Sequence, residues 1–175
     1  MLATSSLHAR SNRATSVRHL EISIETTRSV EFVDLTATIT AVVGGLTLSD
    51  GVVTVHTRHT TTGILVNENE PLLLEDLTAM FERLAPRSAS YAHDDLSRRA
   101  DCGPDERRNG HAHCCAALLR TSESIPVSNG TLVLGRWQRI FLVDCDGGQR
   151  RQVWLTLIGE SRNPESGAGG SAHGD

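Results

Sequence analysis

The sequence is poor in aromatic residues and in long hydrophobic runs, and each shortage excludes a class of protein. Aromatic residues make up 3% of the 175 residues, so the core must be built from valine, leucine, isoleucine and alanine. No apolar run approaches the roughly 20 residues that cross a bilayer. The formal net charge of -4 gives no electrostatic reason to expect nucleic acid or an anionic membrane. We therefore expect one globular domain with neither of these as a partner.

Cysteine is also scarce, and its spacing argues against a secreted disulfide scaffold. The chain has four cysteines, and none of them forms a CxxC pair. We expect reduced thiols in a cytoplasmic protein, so Asn129-Gly130 is interpreted as a turn between strands rather than as part of a glycosylation site. Cys114 or Cys115 could act as a nucleophile, but a buried small residue is favoured in such an Ala/Leu-rich run.

Both ends of the chain differ in composition from its middle. Arg10, Arg13 and Arg18 lie among serines and threonines with no acid before Glu21, which is typical of a transit peptide or of a disordered arm. We favour a disordered arm over 1–16. The Gly/Ser-rich stretch 161–175 is predicted to be a disordered tail. A single domain is then predicted over 17–160.

Hydrophobic periodicity within this domain predicts strands with two or three helices between them. Proline at the first helical position and apolar residues at helical spacing predict the clearest helix, from Pro71 to about Leu84. Asp34 or Thr36 is expected to cap another, and a long polar loop is expected over 87–108. Turns are predicted at Ser49-Asp50-Gly51 and, as a hairpin, at Asp146-Gly147-Gly148. Strands are predicted at 17–27, 52–58, 61–66, 131–134, 139–145 and 151–158, and further helices at about 36–43 and 111–119. This order predicts an α+β domain with a mostly antiparallel sheet or sandwich.

Histidine recurs beside small polar residues and carboxylates, and it is the side chain that binds metals and moves protons near neutral pH. His59 lies where two extended runs meet, and it is either a functional residue or a surface histidine at a turn. His93 precedes Asp94, which could orient its ring, although a plain polar loop is the favoured alternative. His111 and His113 would share a face in a strand but not in a helix, so both binding one ion is doubtful.

Two further segments carry polar groups suited to a site. Glu68, in Asn67-Glu68-Asn69-Glu70, is either a catalytic carboxylate or part of a helix cap, a role that explains Asn69 well. The stretch 134–139 combines a glycine, two arginines suited to phosphate or carboxylate, and Trp137, which can stack on a heterocycle. The alternative for this stretch is the start of a strand with an aromatic core residue.

Taken together, these segments resemble the YjbQ family, whose members are also called secondary thiamine-phosphate synthase enzymes. The likeness covers about 17–160, and its motifs occur in the family's order. They are His59-Thr60-Thr61 with Asn67-Glu68-Asn69-Glu70; Tyr91, His93 and Asp94; Asn109, Ala112 and His113; Ser124-Ile125-Pro126-Val127, Gly130, Leu132, Leu134-Gly135 and Trp137-Gln138; and Ile158-Gly159-Glu160.

The resemblance implies an α+β domain built on a β-sandwich and assembled as a homotrimer. It implies a three-histidine site of His59, His93 and His113 that holds a divalent metal, with zinc the expected ion. The implied reaction joins hydroxymethylpyrimidine diphosphate to thiazole phosphate, with release of pyrophosphate. Glu68 or Asp94 would be the base or a supporting carboxylate. The expected substrate-binding residues are Asn67, Arg136, Trp137, Gln138 and Arg139. The alternatives are a trimeric metal- or phospholigand-binding protein and a zinc-dependent hydrolase.

Overall fold

Strands and short helices alternate along the chain, as the hydrophobic pattern predicts. The computed structural model describes residues 15–161 apart from 101 and 104. Its elements are β1 (Thr15–Glu25), β2 (Glu31–Asp34), α1 (Thr36–Gly45), β3 (Leu48–Thr57), β4 (Thr62–Glu68), α2 (Pro71–Leu84), α3 (Gly110–Ala116), β5 (Ser122–Ser128), β6 (Thr131–Leu132), β7 (Gln138–Asp144) and β8 (Arg150–Ser161). Single 3-10 turns at Ala92–Asp94 and Leu96–Arg98 interrupt the long connection before α3.

Two antiparallel sheets form the frame of the domain. One has five strands in the order β1-β8-β3-β5-β6, and the other has three in the order β2-β7-β4. The apolar core between them combines Val53 and Val55 of β3, Leu155 of β8, and Ile140 and Leu142 of β7, with one face of α1 packed against it. Over the described residues the structure is therefore the α+β architecture predicted, with three α-helices and sheets whose pairings are antiparallel.

Helices α2 and α3 cover the other face of the three-stranded sheet. Phe81 of α2 and Ala112 of α3 pack with Phe141 and Val143 of β7. Strand β7 is thus buried on both faces, which explains its unbroken apolar run. Helix α2 begins with Pro71 and is capped by Glu70, whose carboxylate accepts the backbone N–H groups of Leu72 and Leu73 at 3.0 and 2.8 Å. The cap is therefore Glu70 rather than Asn69.

Two local predictions were wrong, and two strands were missed. The segment Ser49-Asp50-Gly51 is not a turn but part of β3, with a register shift between Leu48 and Asp50. Asp146-Gly147-Gly148 does not close a hairpin, because β7 and β8 belong to different sheets and the chain crosses between them there. Strands β2 and β5 were not predicted, since β2 has only four residues and β5 contains a proline. The Asn129-Gly130 turn is confirmed, with positive φ angles of 52° and 76° between β5 and β6.

The predicted arm 1–16 and tail 161–175 lie almost wholly outside the described residues. At their inner ends, Thr15 and Ser16 belong to β1 and Ser161 to β8. Within the described part of the chain, no helix combines the length and apolar character needed to cross a membrane.

Candidate functional site

The three histidines that lie far apart in the sequence line one polar cavity. His59 comes from the β3–β4 loop, His93 from the first 3-10 turn, and His113 from α3. The cavity has a volume of about 510 Å³. Folding therefore gathers these imidazoles at the end of the three-stranded sheet where β4 begins and β7 ends. We call this cavity the histidine pocket.

The ring of His59 is fixed by a long-range hydrogen bond. The backbone N–H of Gln152 donates to its Nε2 at 2.9 Å, and the backbone carbonyl of His59 accepts from Thr62 at 3.2 Å. Burial lowers the pKa of His59 below its usual value near 6.5, and the guanidinium of Arg151 lowers that pKa further. His59 is therefore a neutral imidazole near neutral pH.

His93 and His113 form a close pair that also lines the pocket. Their ring centroids lie 4.6 Å apart at an interplanar angle of 61°. Nε2 of His93 is buried and finds no hydrogen-bond partner in the described part of the chain. Burial and the neighbouring His93 lower the pKa of His113. A buried imidazole nitrogen without a partner is costly, so this pair is suited to a ligand or cation that would satisfy it.

Asp94, predicted as a catalytic or supporting carboxylate, fixes the start of α3. Its Oδ1 accepts the backbone N–H of Gly110 at 2.8 Å. A side chain at Gly110 would not fit, because a Cβ there would lie 2.5 Å from Cβ of Tyr91. This close contact and the carboxylate together set the position of α3, and so of His113. Whether Asp94 also moves a proton stays a prediction.

A network of buried charges that the sequence analysis missed forms the pocket floor. The guanidinium of Arg151 donates to both carboxylate oxygens of Asp144 at 2.8 Å, and it also reaches Thr61 Oγ1 at 3.1 Å. Burial favours the neutral form of Asp144, but hydrogen bonds from Arg151 and Thr26 outweigh it and lower the pKa of this carboxyl group. The signal in the sequence was an aspartate at the end of β7 and an arginine at the start of β8, the two strands that the crossover segment joins.

Asp146 ties the floor to the loop before α3. Its carboxylate accepts from Arg107 at 3.1 Å, Asn109 at 2.7 Å and Gln149 at 2.9 Å. Among the residues that the structure describes, four arginines and three carboxylates line the pocket: Arg58, Arg99, Arg107, Arg151, Asp105, Glu106 and Asp146. Each of these guanidinium groups already pairs with a carboxylate. A guanidinium has five N–H groups, so together with the three imidazoles the pocket still offers hydrogen-bond donors to an anionic ligand.

The other predicted site residues lie at the opposite end of β4 and β7. Asn67 pairs with Arg139 and Glu68 with Gln138, whereas Thr62 at the pocket end pairs with Asp144. Six residue steps along a strand span about 20 Å, so these residues are remote from the histidines of the same chain. The structure therefore splits the predicted set into two groups.

The contacts within this second group are local. The guanidinium of Arg136 lies 4.6 Å from the ring centre of Trp137, whose side chain is 59% exposed. Gln138 Oε1 accepts the backbone N–H of Gly135 at 2.7 Å, and Arg139 donates to the backbone carbonyl of Gln138 at 2.9 Å. The Asn67 side chain accepts the N–H of Glu68 at 2.9 Å. We call this group the tryptophan end.

Helix α3 separates His111 from His113, as expected for a helical HxH sequence. His111 is buried on the side that faces a second cavity of about 750 Å³ beside α2, and its Nε2 has no partner within the described residues. Cys115 lines the same cavity, and burial raises the pKa of its thiol, which disfavours a nucleophilic thiolate. Cys114 is exposed, contrary to the expectation that both cysteines are buried.

The histidine pocket fits a metal ion only in part. Among the residues that the structure describes, no three His, Cys, Asp or Glu side chains lie together in an arrangement that could hold an ion. The His93–His113 pair offers two imidazoles and the unpartnered Nε2 of His93. Nε2 of His59, however, is already occupied by the Gln152 amide.

Comparisons with known proteins agree on one family. The family model described as "UPF0047 protein YjbQ-like" matches residues 20–160. A UPF0047 protein of Archaeoglobus fulgidus is 39% identical over 139 residues, which cover 79% of this chain and 100% of that protein. A UPF0047 protein of Methanothermobacter thermautotrophicus is 35% identical over 140 residues, 80% of this chain and 91% of that protein.

Solved structures show the same fold. A YbjQ-like protein of unknown function from Sulfolobus solfataricus superposes with a TM-score of 0.75 at 31% identity, covering 84% of this chain and 100% of that one. A hypothetical protein from Aeropyrum pernix gives a TM-score of 0.72 at 31% identity, with coverages of 82% and 99%. The match in sequence, extent and architecture means that the chain belongs to the YjbQ-like UPF0047 family.

Proposed function

We propose that the chain binds a phosphorylated small molecule in the histidine pocket and has thiamine-phosphate synthase activity as a side reaction. The observation that carries the binding step is the gathering of three imidazoles and four guanidinium groups around one cavity. Guanidinium groups and imidazole N–H groups are strong donors to phosphate oxygens. The synthase chemistry comes from the family resemblance and requires a site of this kind for its diphosphate.

The proposed reaction exchanges one bond for another. The ring nitrogen of thiazole phosphate forms a bond to the exocyclic methylene carbon of the pyrimidine, and the bond from that carbon to diphosphate oxygen breaks. Diphosphate leaves with the electron pair, so donors that stabilise its developing charge lower the barrier. Arg107 and His113 line the cavity where such an anion would lie. No proton leaves the thiazole nitrogen, so a general base is not essential to this step.

A divalent metal, with zinc the expected ion, remains part of the proposal. His93 and His113 would hold it, and the family resemblance adds His59 as a third ligand. A bound ion would neutralise phosphate charge as a Lewis acid. Asp94, which anchors the start of α3, would keep the His113 ring in place.

The tryptophan end would contribute to the site from a neighbouring subunit. We propose the homotrimer that the resemblance implies, in which Glu68, Asn67 or Arg139 of another copy would reach a ligand that the histidines hold. The exposure of Trp137, at 59%, leaves its ring available for such a contact. We place the protein in the cytoplasm, where buried free thiols such as Cys115 and Cys145 stay reduced.

Calorimetric titration with inorganic diphosphate tests the binding step directly. The wild-type chain should bind, and His113→Asn should weaken binding at least about tenfold, the loss of one charge-assisted hydrogen bond. His19→Asn is the matched control, because His19 bonds Thr156 on the five-stranded sheet and is not among the residues that line the pocket. Equal binding by both variants would contradict the proposal.

Incubation with the two phosphorylated precursors tests the reaction. Formation of thiamine phosphate, lost in His59→Ala and in His113→Asn, supports the synthase. Complementation of a strain without its main thiamine-phosphate synthase supports it independently. Diphosphate binding with no product favours the alternative of a phospholigand-binding protein, and release of phosphate from simple phosphoesters on addition of zinc favours a hydrolase.

A further inference from the structure

The hydrogen bond at His59 selects one tautomer of its ring. The backbone N–H of Gln152 can only donate, and it points at Nε2 from 2.9 Å. Nε2 must therefore present its lone pair, and the proton of the neutral ring must lie on Nδ1. Nδ1 makes no hydrogen bond to any described residue, and His59 lines the histidine pocket.

The same contact conflicts with metal binding by this residue. A metal at Nε2 would need the lone pair that the Gln152 amide uses. A metal at Nδ1 would move the ring proton to Nε2, where it would face the Gln152 N–H, donor against donor. The amide would then lose its only acceptor in the described structure, a penalty that proteins avoid for buried backbone groups.

The fold explains why an imidazole accepts this amide. The pairing of β3 with β8 ends at Thr57 and Val153, so the next residue of β8, Gln152, has no β3 residue opposite it. The His59 ring supplies the missing acceptor at this strand end. The loop is also held from within, because the N–H of His59 donates to Thr57 Oγ1 at 3.3 Å and its carbonyl accepts from Thr62. Rotation of the ring away from Gln152 would therefore cost a sheet hydrogen bond.

We propose that His59 is a fixed Nδ1–H donor to an anionic oxygen of the ligand and not a metal ligand, and that His93 and His113 alone supply imidazoles to a cation. A donor that cannot turn into an acceptor selects deprotonated phosphate oxygens over ligand hydroxyl groups that must donate. The identity of the anion rests on the proposed function; the tautomer and the exclusion of the metal do not.

Long-range proton–nitrogen correlation spectra of the ¹⁵N-labelled full-length protein test the tautomer. His59 should show a protonated Nδ1 and an unprotonated Nε2. Titration with zinc chloride should then shift the ring nitrogens of His93 and His113 and leave those of His59 and the control His19 unchanged. A proton on Nε2 of His59, or a zinc-induced shift of either of its ring nitrogens, would overturn the proposal.

Two substitutions of one residue test the donor role. In His59→Asn the side-chain amide can place an N–H near the position of Nδ1, whereas in His59→Gln the amide oxygen can replace Nε2 and no donor remains near Nδ1. Affinity for inorganic diphosphate should fall about tenfold or more in His59→Gln and about threefold at most in His59→Asn. Zinc affinity should stay equal in both, since a lost metal ligand would lower it in both.

These results separate this inference from the proposed function. If the wild-type chain does not bind diphosphate, the proposed function fails, and the spectra still decide the tautomer. If diphosphate binds but both variants lose the same affinity, the donor role of His59 fails while the pocket stands. If both variants lose zinc, the exclusion of His59 from the metal fails. Thermal unfolding of each variant checks that its fold is intact, and the wild-type spectra decide the question where a variant does not fold.

Discussion

The two ends of β4 and β7 use polar residues in opposite ways. At the pocket end, Asp144 and Arg151 are buried and joined by paired hydrogen bonds between strands of different sheets. At the tryptophan end, Arg136 and Trp137 contact each other as sequence neighbours, in the open. Both ends were predicted from the sequence to carry site residues, yet only at the pocket end do the side-chain hydrogen bonds described above join residues far apart in the chain.

This difference shows that a pocket lined by buried charges needs supporting residues from several parts of the chain, whereas an exposed group of polar residues does not. Holding a charge out of water requires partners. At the pocket end these partners come from β8, from the residue directly after β1 and from the residue directly before β4, around the end of β7. The tryptophan end requires no such support within one chain. A role for it in the same site therefore depends on a second subunit.

The largest expected effect comes from breaking the buried ion pair. Arg151→Met leaves the Asp144 carboxylate buried without its partner, and this change should lower the free energy of unfolding by about 3–5 kcal/mol. Arg136→Met at the tryptophan end is the matched control and should change it by no more than about 0.5 kcal/mol. Urea denaturation of both variants measures the two changes in the free energy of unfolding. Equal changes would contradict the view that only the pocket end depends on buried charge pairing.

The second comparison concerns ligand binding at the two ends. His113→Asn should weaken binding of inorganic diphosphate at least about tenfold, through loss of one hydrogen bond to a charged group. Arg139→Gln should weaken it as well, and the protein should form a trimer in analytical ultracentrifugation, if a neighbouring copy brings this residue to the pocket as proposed. Unchanged binding in Arg139→Gln would mean that the ligand is held without this residue.

Acid should destabilise the fold through three partly or fully buried histidines, two of which line the histidine pocket. Burial lowers the pKa values of His59, His111 and His113 below the unfolded value near 6.5. The unfolded chain therefore binds more protons below that pH, and stability present at pH 7 is lost progressively as the pH falls below about 6.5. Thermal unfolding between pH 7.5 and 5 should show a falling midpoint. The fall should be shallower in His113→Asn and unchanged in Glu68→Gln; an unchanged slope in His113→Asn would contradict this account.

The smallest effect is expected at the anchor of α3. Asp94→Ala removes the acceptor of the Gly110 N–H and should cost about 1 kcal/mol, as the loss of a helix cap does. Diphosphate affinity should fall with it, because His113 is carried by the same helix. Asp94→Asn keeps an acceptor oxygen and should recover most of both losses. Failure of Asn to recover diphosphate affinity would indicate that the charge of Asp94 acts on the ligand directly.

Much of the frame could be predicted because local patterns determine it. Pro71 and the helical spacing of Leu74 and Phe81 predicted α2, and positive φ angles at Asn129-Gly130 suit the turn predicted there. The hairpin predicted at Asp146-Gly147-Gly148 was wrong, because turn composition does not show whether the next strand returns to the same sheet. Short β2 carried too little pattern to detect.

The sequence predicted which histidines line the site but not the hydrogen bonds that they make. Motif order selected His59, His93 and His113, and all three line the pocket. The occupation of His59 Nε2 depends on a backbone amide 93 residues away, and no spacing rule carries that information. The floor formed by Asp144, Asp146 and Arg151 was missed because charged residues at strand ends usually face solvent.

The crossover between β7 and β8 links ligand binding in the pocket to the rigidity of the junction between the two sheets. The segment from Asp144 to Arg151 passes from one sheet to the other and also supplies the pocket floor. A molecule seated on it would brace the junction between the two layers. Occupancy should then slow amide hydrogen exchange at the adjoining ends of β4 and β8, because the bound ligand would make the junction between the two sheets more rigid.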